Sequence, residues 1–103
     1  MKISKKEFDK IPIKQRNGIY EIEGLAIYYY VKGKLHRENK PAFERYDGYK
    51  AWYINNKYHR LDGPAVETSY GNMEYWIKGK KYPTREEFEL AVYMYKNRLM
   101  DYL

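Results

Sequence analysis

Seven residues recur in this chain in the same frame. HRENKPA (His36–Ala42) and HRLDGPA (His59–Ala65) both read H-R-x-x-x-P-A, 23 residues apart, and they contain both histidines. Like segments at such a spacing mark a repeat architecture, which narrows the fold before any single residue is interpreted. A shift of 23 residues also aligns YYVKGKLH (Tyr29–His36), WYINNKYH (Trp52–His59) and YWIKGKKY (Tyr75–Tyr82). The segments ahead of them align as IYEIEG (Ile19–Gly24), AFERYDG (Ala42–Gly48) and AVETSYG (Ala65–Gly71).

Each unit reads as a β-hairpin. Asp47-Gly48 supplies the positive φ angles of a two-residue turn, Gly71-Asn72 does so in the next unit, and Gly24 in the first. Gly33, Asn56 and Gly79 then open the joints between hairpins. The expectation is six strands in three hairpins, at roughly 19–23, 25–32, 42–46, 49–55, 65–69 and 73–78. Alternation puts Tyr20/Ile22, Phe43 and Val66 opposite Glu21/Glu23, Glu44 and Glu67. The return strands are apolar on both sides, so a helix or a partner is expected over part of the second face.

Helices are expected at both ends. Ser4 and Glu7 have the spacing of a capping box, opening a helical turn within residues 1–12 that is anchored by Phe8 and Ile11 and stopped at Pro12. Thr84 and Glu87 form a second box. After it Phe88, Ala91, Val92, Tyr95, Leu99 and Tyr102 recur at helical spacing, which predicts a helix over 84–102 packed on the sheet. Met94 and Met100 read as gap fillers. The expected fold is a single α+β domain: a meandering antiparallel sheet over 17–82 with the two helical ends.

The chain gives no signal of catalysis. His36 and His59 stand at equivalent points of successive units. A catalytic group is placed once in a monomer, whereas a structural joint is placed once per unit. Ile13 and Tyr82 take the corresponding places at the two ends of the array. His36, Pro41, His59, Arg60, Asp62, Gly63 and Pro64 are therefore assigned to the joint. Asp62-Gly63-Pro64 is turn chemistry, Arg60 lies across a tyrosine face or pairs with Asp62, and His59 donates to a backbone carbonyl. HRENKPA replaces that turn with Asn39 and Lys40. No metal-ligand spacing, phosphate loop or nucleophile elbow is present, and no metal or cofactor is expected.

Charge and composition bear on partners. The net charge of +6 is concentrated in residues 1–40, which carry ten basic against five acidic side chains. Fourteen of the residues are tyrosine and none is cysteine. Tyrosine suits both strands and binding surfaces. The missing cysteine suits a reducing, cytoplasmic setting. No apolar stretch has the length of a membrane span, and the N-terminal residues lack the apolar core of a signal peptide.

The pattern K-x-H-R-x-D-G-P-A, a D-G turn and then W-Y-x-N/K-G/N-K, resembles the MORN-like repeats of tailed-phage and giant-virus proteins and of some bacterial proteins described as antitoxins. The ending YWIKGKKYPTREEFELAV is similar to the close of such phage proteins. The likeness spans roughly residues 17–92. His59–Ala65 matches well, His36–Ala42 departs at Asn39-Lys40, and the first unit matches in outline. The resemblance implies a meandering antiparallel sheet and a viral origin, and implies no activity.

The leading functional expectation is a non-enzymatic phage-type protein that binds a host bacterial protein or complex and inhibits it, for example a CRISPR component, a toxin or a defence nuclease. Its expected site would then be the host bacterial cytoplasm. Its expected contacts are Tyr28, Tyr30, Arg37, Lys40, Arg45, Tyr49 and Tyr53. The second reading is nucleic-acid binding through basic residues and tyrosines, opposed by the acidic row Glu21, Glu23, Glu44 and Glu67. The third is a sponge for a signalling nucleotide, with Arg37 and Arg60 holding its phosphate. Homodimerisation through an uncovered face or an edge strand fits all three.

Overall fold

The computed structural model describes residues 1–99. It is an α+β fold of eleven strands and two α-helices. In chain order these are β1 (Lys2–Ile3), α1 (Lys5–Asp9), a 3-10 turn (Ile13–Gln15), β2 (Gly18–Ile22), β3 (Ala26–Val31), β4 (Lys34–Leu35), β5 (Phe43–Arg45), β6 (Lys50–Ala51), β7 (Tyr53–Ile54), β8 (Lys57–Tyr58), β9 (Val66–Glu67), β10 (Met73–Ile77), β11 (Lys80–Tyr82) and α2 (Arg85–Lys96). The main sheet runs β1-β2-β3-β5-β6-β9-β10-β11, with β4 paired to β3, while β7 and β8 form a separate ribbon. Among the described residues only β1 is parallel to its neighbour. The whole is a slab of 45 × 30 × 17 Å.

The strand count corrects the expected six, because the turns lie elsewhere. Asp47-Gly48 does not make a two-residue turn. It belongs to a three-residue loop, Tyr46–Gly48, closed by the Arg45 N–H on the Tyr49 carbonyl at 2.8 Å, and the loop Ser69–Gly71 is closed by Thr68 on Asn72 at 2.9 Å. In these loops the glycine alone is left-handed, with φ 100° at Gly48 and 85° at Gly71. The two-residue turns stand at the other end of the return strands. Lys32-Gly33, Asn55-Asn56 and Lys78-Gly79 have both central residues at positive φ, the geometry that suits the twist of a hairpin. The chain therefore folds back again, and each unit gains a short third strand, β4, β8 or β11.

Register fixes the faces. Tyr20 lies opposite Tyr28, Tyr28 opposite Phe43, Phe43 opposite Ala51, and Ala51 opposite Val66. These residues, with Ile22, Tyr30, Tyr53 and Trp76, make a tyrosine face. Glu44 and Glu67 share the other face with Lys50. Tyr29, Trp52, Tyr75 and Ile77 alternate onto that side, which is the arginine face.

The helices cap opposite faces at opposite ends. Phe8 of α1 stacks on Tyr28 at 4.9 Å and meets Tyr20 edge-on at 5.7 Å. Phe8, Tyr20, Ile22 and Tyr30 form the buried N-terminal core. Phe88 of α2 lies 4.8 Å from Tyr75, in a C-terminal core with Ile77, Tyr82 and Ala91. Ile22 and Ile77 are each 1% exposed, and burying such a side chain contributes about 2 kcal/mol. Between the cores the sheet is thin, with Ala42, Ala51 and Ala65 wholly buried.

At the N-terminus Ser4 and Glu7 make the reciprocal capping box. A five-residue helix has almost no stability of its own, so Phe8 packing must hold it. At Thr84 the hydroxyl accepts the Glu87 N–H at 3.2 Å. α2 ends at Lys96, earlier than the expected 102, where Asn97 caps the helix and Arg98 turns left-handed with φ 59°. Met100 and Tyr102, expected on that helix, lie outside the described residues. None of the described helices is long and apolar enough to cross a membrane.

Candidate functional site

The two joints repeat bond for bond. The His36 N–H donates to the Tyr29 carbonyl at 3.1 Å, and the His59 N–H to Trp52 at 3.0 Å. Each ring then reaches the next unit. Nδ1 of His36 accepts the Asn55 N–H at 3.1 Å, and Nδ1 of His59 accepts the Lys78 N–H at 3.0 Å. Asn55 and Lys78 are the first left-handed residues of their turns, so the histidine pins the turn that follows. This corrects the expectation that His59 donates to a carbonyl: its side chain is the acceptor. Asn17 does the same for the first unit, its Oδ1 accepting the Lys32 N–H at 2.9 Å. The counterpart of the histidines is thus Asn17 and not Ile13. Burial pushes the His59 imidazole below its ordinary value, and the Lys78 charge adds to this against an opposing pull from Glu38.

The arginines complete the joint. The guanidinium of Arg37 lies 3.8 Å over the Tyr29 ring, and that of Arg60 lies 3.8 Å over Trp52. Arg60 donates to the Pro64 carbonyl and to Asp62, both at 3.0 Å, and reaches Glu67 at 3.5 Å. Arg37 donates to the Pro41 carbonyl at 3.3 Å and stands 3.9 Å from Glu44. Glu44 and Glu67 are therefore partly neutralised by the joints. The acidic row weighs less against a polyanion than the sequence implied.

Gly63 explains why the joints differ. A Cβ built there would lie 2.9 Å from the Arg60 guanidinium carbon, so any other residue must shift that group from its seat against the backbone. Lys40 occupies the equivalent place in the first joint. There Asn39 is left-handed at φ 62°, and no carboxylate stands where Asp62 stands. An open cleft of about 450 Å³ separates the joints, walled by Arg37, Trp52, His59, Arg60, Asp62 and Lys96. Both arginines in it are already laid on rings and tied to carbonyls.

The tyrosine face is the other candidate. Beyond the reach of α1 its rings continue in touching pairs: Phe43 and Tyr49 at 5.7 Å, Tyr53 and Tyr58 at 4.7 Å, and Tyr58 and Trp76 at 5.1 Å. All five are half-buried, and no helix of the described residues packs over them. Burial, with the neighbouring Tyr58 hydroxyl, pushes Tyr49 up to about 12. Burial also raises Tyr53 and Tyr58. These phenols stay neutral through the physiological range.

The structure does not bring the seven expected contact residues together. Tyr30 is buried, and its hydroxyl accepts from Arg16 at 3.0 Å, so it offers no surface. Tyr28 is half-covered by Phe8. Tyr49 and Tyr53 lie on the open tyrosine face, with Arg45 beside Tyr49 at 4.8 Å. Arg37 is on the arginine face, and Lys40 is exposed in the first joint. Tyr58 and Trp76 were missed: Trp76 takes the place of Tyr53 in the next unit, whereas Tyr58 aligns with Leu35 and Lys81 and faces Tyr53 only through the unforeseen strand β8. Arg16 was also missed. It is 9% exposed, lies 3.9 Å over Phe8 and donates to the carbonyls of Ile11 and Phe8, tying α1 to the sheet.

Among the described residues no cluster of three or more His, Cys, Asp or Glu side chains could hold a metal ion. Comparison with known proteins finds no matching protein-family model, no matching curated protein and no matching solved structure.

Proposed function

We propose that this chain is a small non-enzymatic binding protein that docks a partner protein on its tyrosine face, inhibiting a host bacterial macromolecule by direct contact. The observation that carries this reading is the row Phe43, Tyr49, Tyr53, Tyr58 and Trp76, left open because the two helices cap opposite faces at opposite ends. Interfaces are enriched in tyrosine and tryptophan, and a few such side chains supply most of the binding energy. The rings are held by neighbours on the sheet, so little freedom is lost on docking. The MORN-like resemblance supports the bacterial setting of the partner.

Affinity capture from bacterial lysate with mass spectrometry tests it, run in parallel on the wild type, Tyr53→Ala/Trp76→Ala and the arginine-face control Lys50→Ala. A stoichiometric protein held by the wild type and the control, and lost from the ring variant, is the expected result. Equal retention by all three, or no stoichiometric protein at all, overturns the reading.

A further inference from the structure

We propose that the edge of the sheet formed by the two-residue turns binds the phosphate backbone of a nucleic acid. Three observations converge on it. The first is a row of charge. Lys34, Lys57 and Lys80 hold the same position in the three units, and Lys32 and Lys78 precede them in two of the turns. Lys14 belongs to the 3-10 turn that packs against Gly33, where a Cβ would lie 2.8 Å from the Lys14 Cα. All six are exposed, and none is ion-paired among the described residues. Each unit adds two strands to the sheet, so the row advances by about 10 Å per unit.

The second is the separation of sign. Residues 10–20, 30–37, 52–61 and 75–85, which make this edge, contain no acid. The opposite ends of the strands carry Glu21, Glu23, Glu44, Asp47 and Glu67.

The third is strain. Lys32 and Lys78 sit in the left-handed region at φ 48° and 47°, where the middle unit has Asn55 at 49°. Lysine is strained in that region, and asparagine tolerates the position better. Two of three turns thus keep lysine against the local preference. Retained strain of this kind marks function.

The geometry favours a linear polyanion over a lipid surface. The lysines form a line along the rim of a slab 17 Å thick, and the turns themselves hold only Lys, Gly and Asn, with nothing to enter a bilayer. Lysine acts as a point charge that follows a backbone without reading bases. The inference is separate from protein docking, since it uses the edge and not the rings.

Fluorescence anisotropy of the full chain with a labelled oligonucleotide of about 20 bases, single-stranded and duplex, tests it. Binding is expected at ~50 mM salt, with a slope of log affinity on log salt of about −4 for the single strand or about −5 for the duplex if all six lysines engage. Lys34→Glu/Lys57→Glu/Lys80→Glu should abolish it. Lys32→Asn/Lys78→Asn should keep or raise the melting temperature while reducing the slope by about 1.5. Lys6→Glu and Tyr53→Ala/Trp76→Ala should change neither affinity nor slope. No binding at ~50 mM salt, binding that survives the rim changes, loss in the ring variant, or binding to phosphatidylserine vesicles but not to oligonucleotides would each overturn the proposal.

Discussion

The second joint holds its arginine against a glycine backbone, two carboxylates and a tryptophan; the first holds it against a tyrosine, one carbonyl and a distant glutamate. The frame of seven residues is shared, yet Asp62-Gly63 has become Asn39-Lys40. The comparison separates what every joint requires from what one joint adds. Both keep the histidine acceptor, the arginine on a ring, the bond to the proline carbonyl and the buried alanine. The second adds the fixed guanidinium. The first gives that up and presents an exposed lysine.

Breaking the stronger joint gives the largest effect. Arg60→Ala removes a charged hydrogen bond to Pro64 and uncovers Trp52, which is 7% exposed, and should cost about 2–3 kcal/mol in urea unfolding. Arg37→Ala should cost about 1 kcal/mol. Equal losses would show that the joints are energetically alike. Gly63→Lys copies the first joint into the second. It shifts the Arg60 guanidinium from its seat and should lose up to about 1 kcal/mol, whereas Lys40→Gly should shift stability by less than about 0.5 kcal/mol.

His59→Ala leaves the exposed Lys78 N–H to water and should cost about 0.5–1 kcal/mol, again by urea unfolding. The pH dependence sharpens this further. His59 has its folded-state value below the ordinary 6.5, so folding favours the neutral ring. Its contribution is complete above pH 6.5 and is lost as the pH falls through the lower folded value. His59→Asn borrows the acceptor that Asn17 uses in the first unit and cannot titrate in this range. Unfolding curves from pH 7.5 to about 5 should fall less steeply for His59→Asn than for the wild type. An unchanged slope would mean that the decline belongs to other groups.

Much of the fold was legible because the repeat is a chain-level signal. The units, the two capping residues Ser4 and Thr84 and the α+β class follow from period and spacing. The turns were misplaced for a physical reason. Asp-Gly serves both two- and three-residue loops, whereas Lys32 and Lys78 are poor formers of the turns they occupy, so Gly33, Asn56 and Gly79 read as open joints and not as tight turns leading into β4, β8 and β11. β1 pairs through two residues and leaves no pattern. The site was legible only in part. Tyr30 and Tyr53 hold equivalent places in adjacent units, yet α1 and Arg16 bury the first and leave the second open. That distinction depends on where Phe8 lands, which is tertiary.

The acceptors Asn17, His36 and His59 give the array a direction of growth. Each unit arrives with a turn that the segment before it completes, and leaves with a side chain that completes the next. The middle unit carries both halves of that bond, an incoming Asn55 and an outgoing His59. A copy of its 23 residues could be inserted in register, lengthening the tyrosine face and the lysine edge together. The first unit has its turn completed by Asn17 and hands on His36, whereas the last has Tyr82 where an outgoing histidine would stand, so the bond that permits lengthening in the middle is passed on no further there.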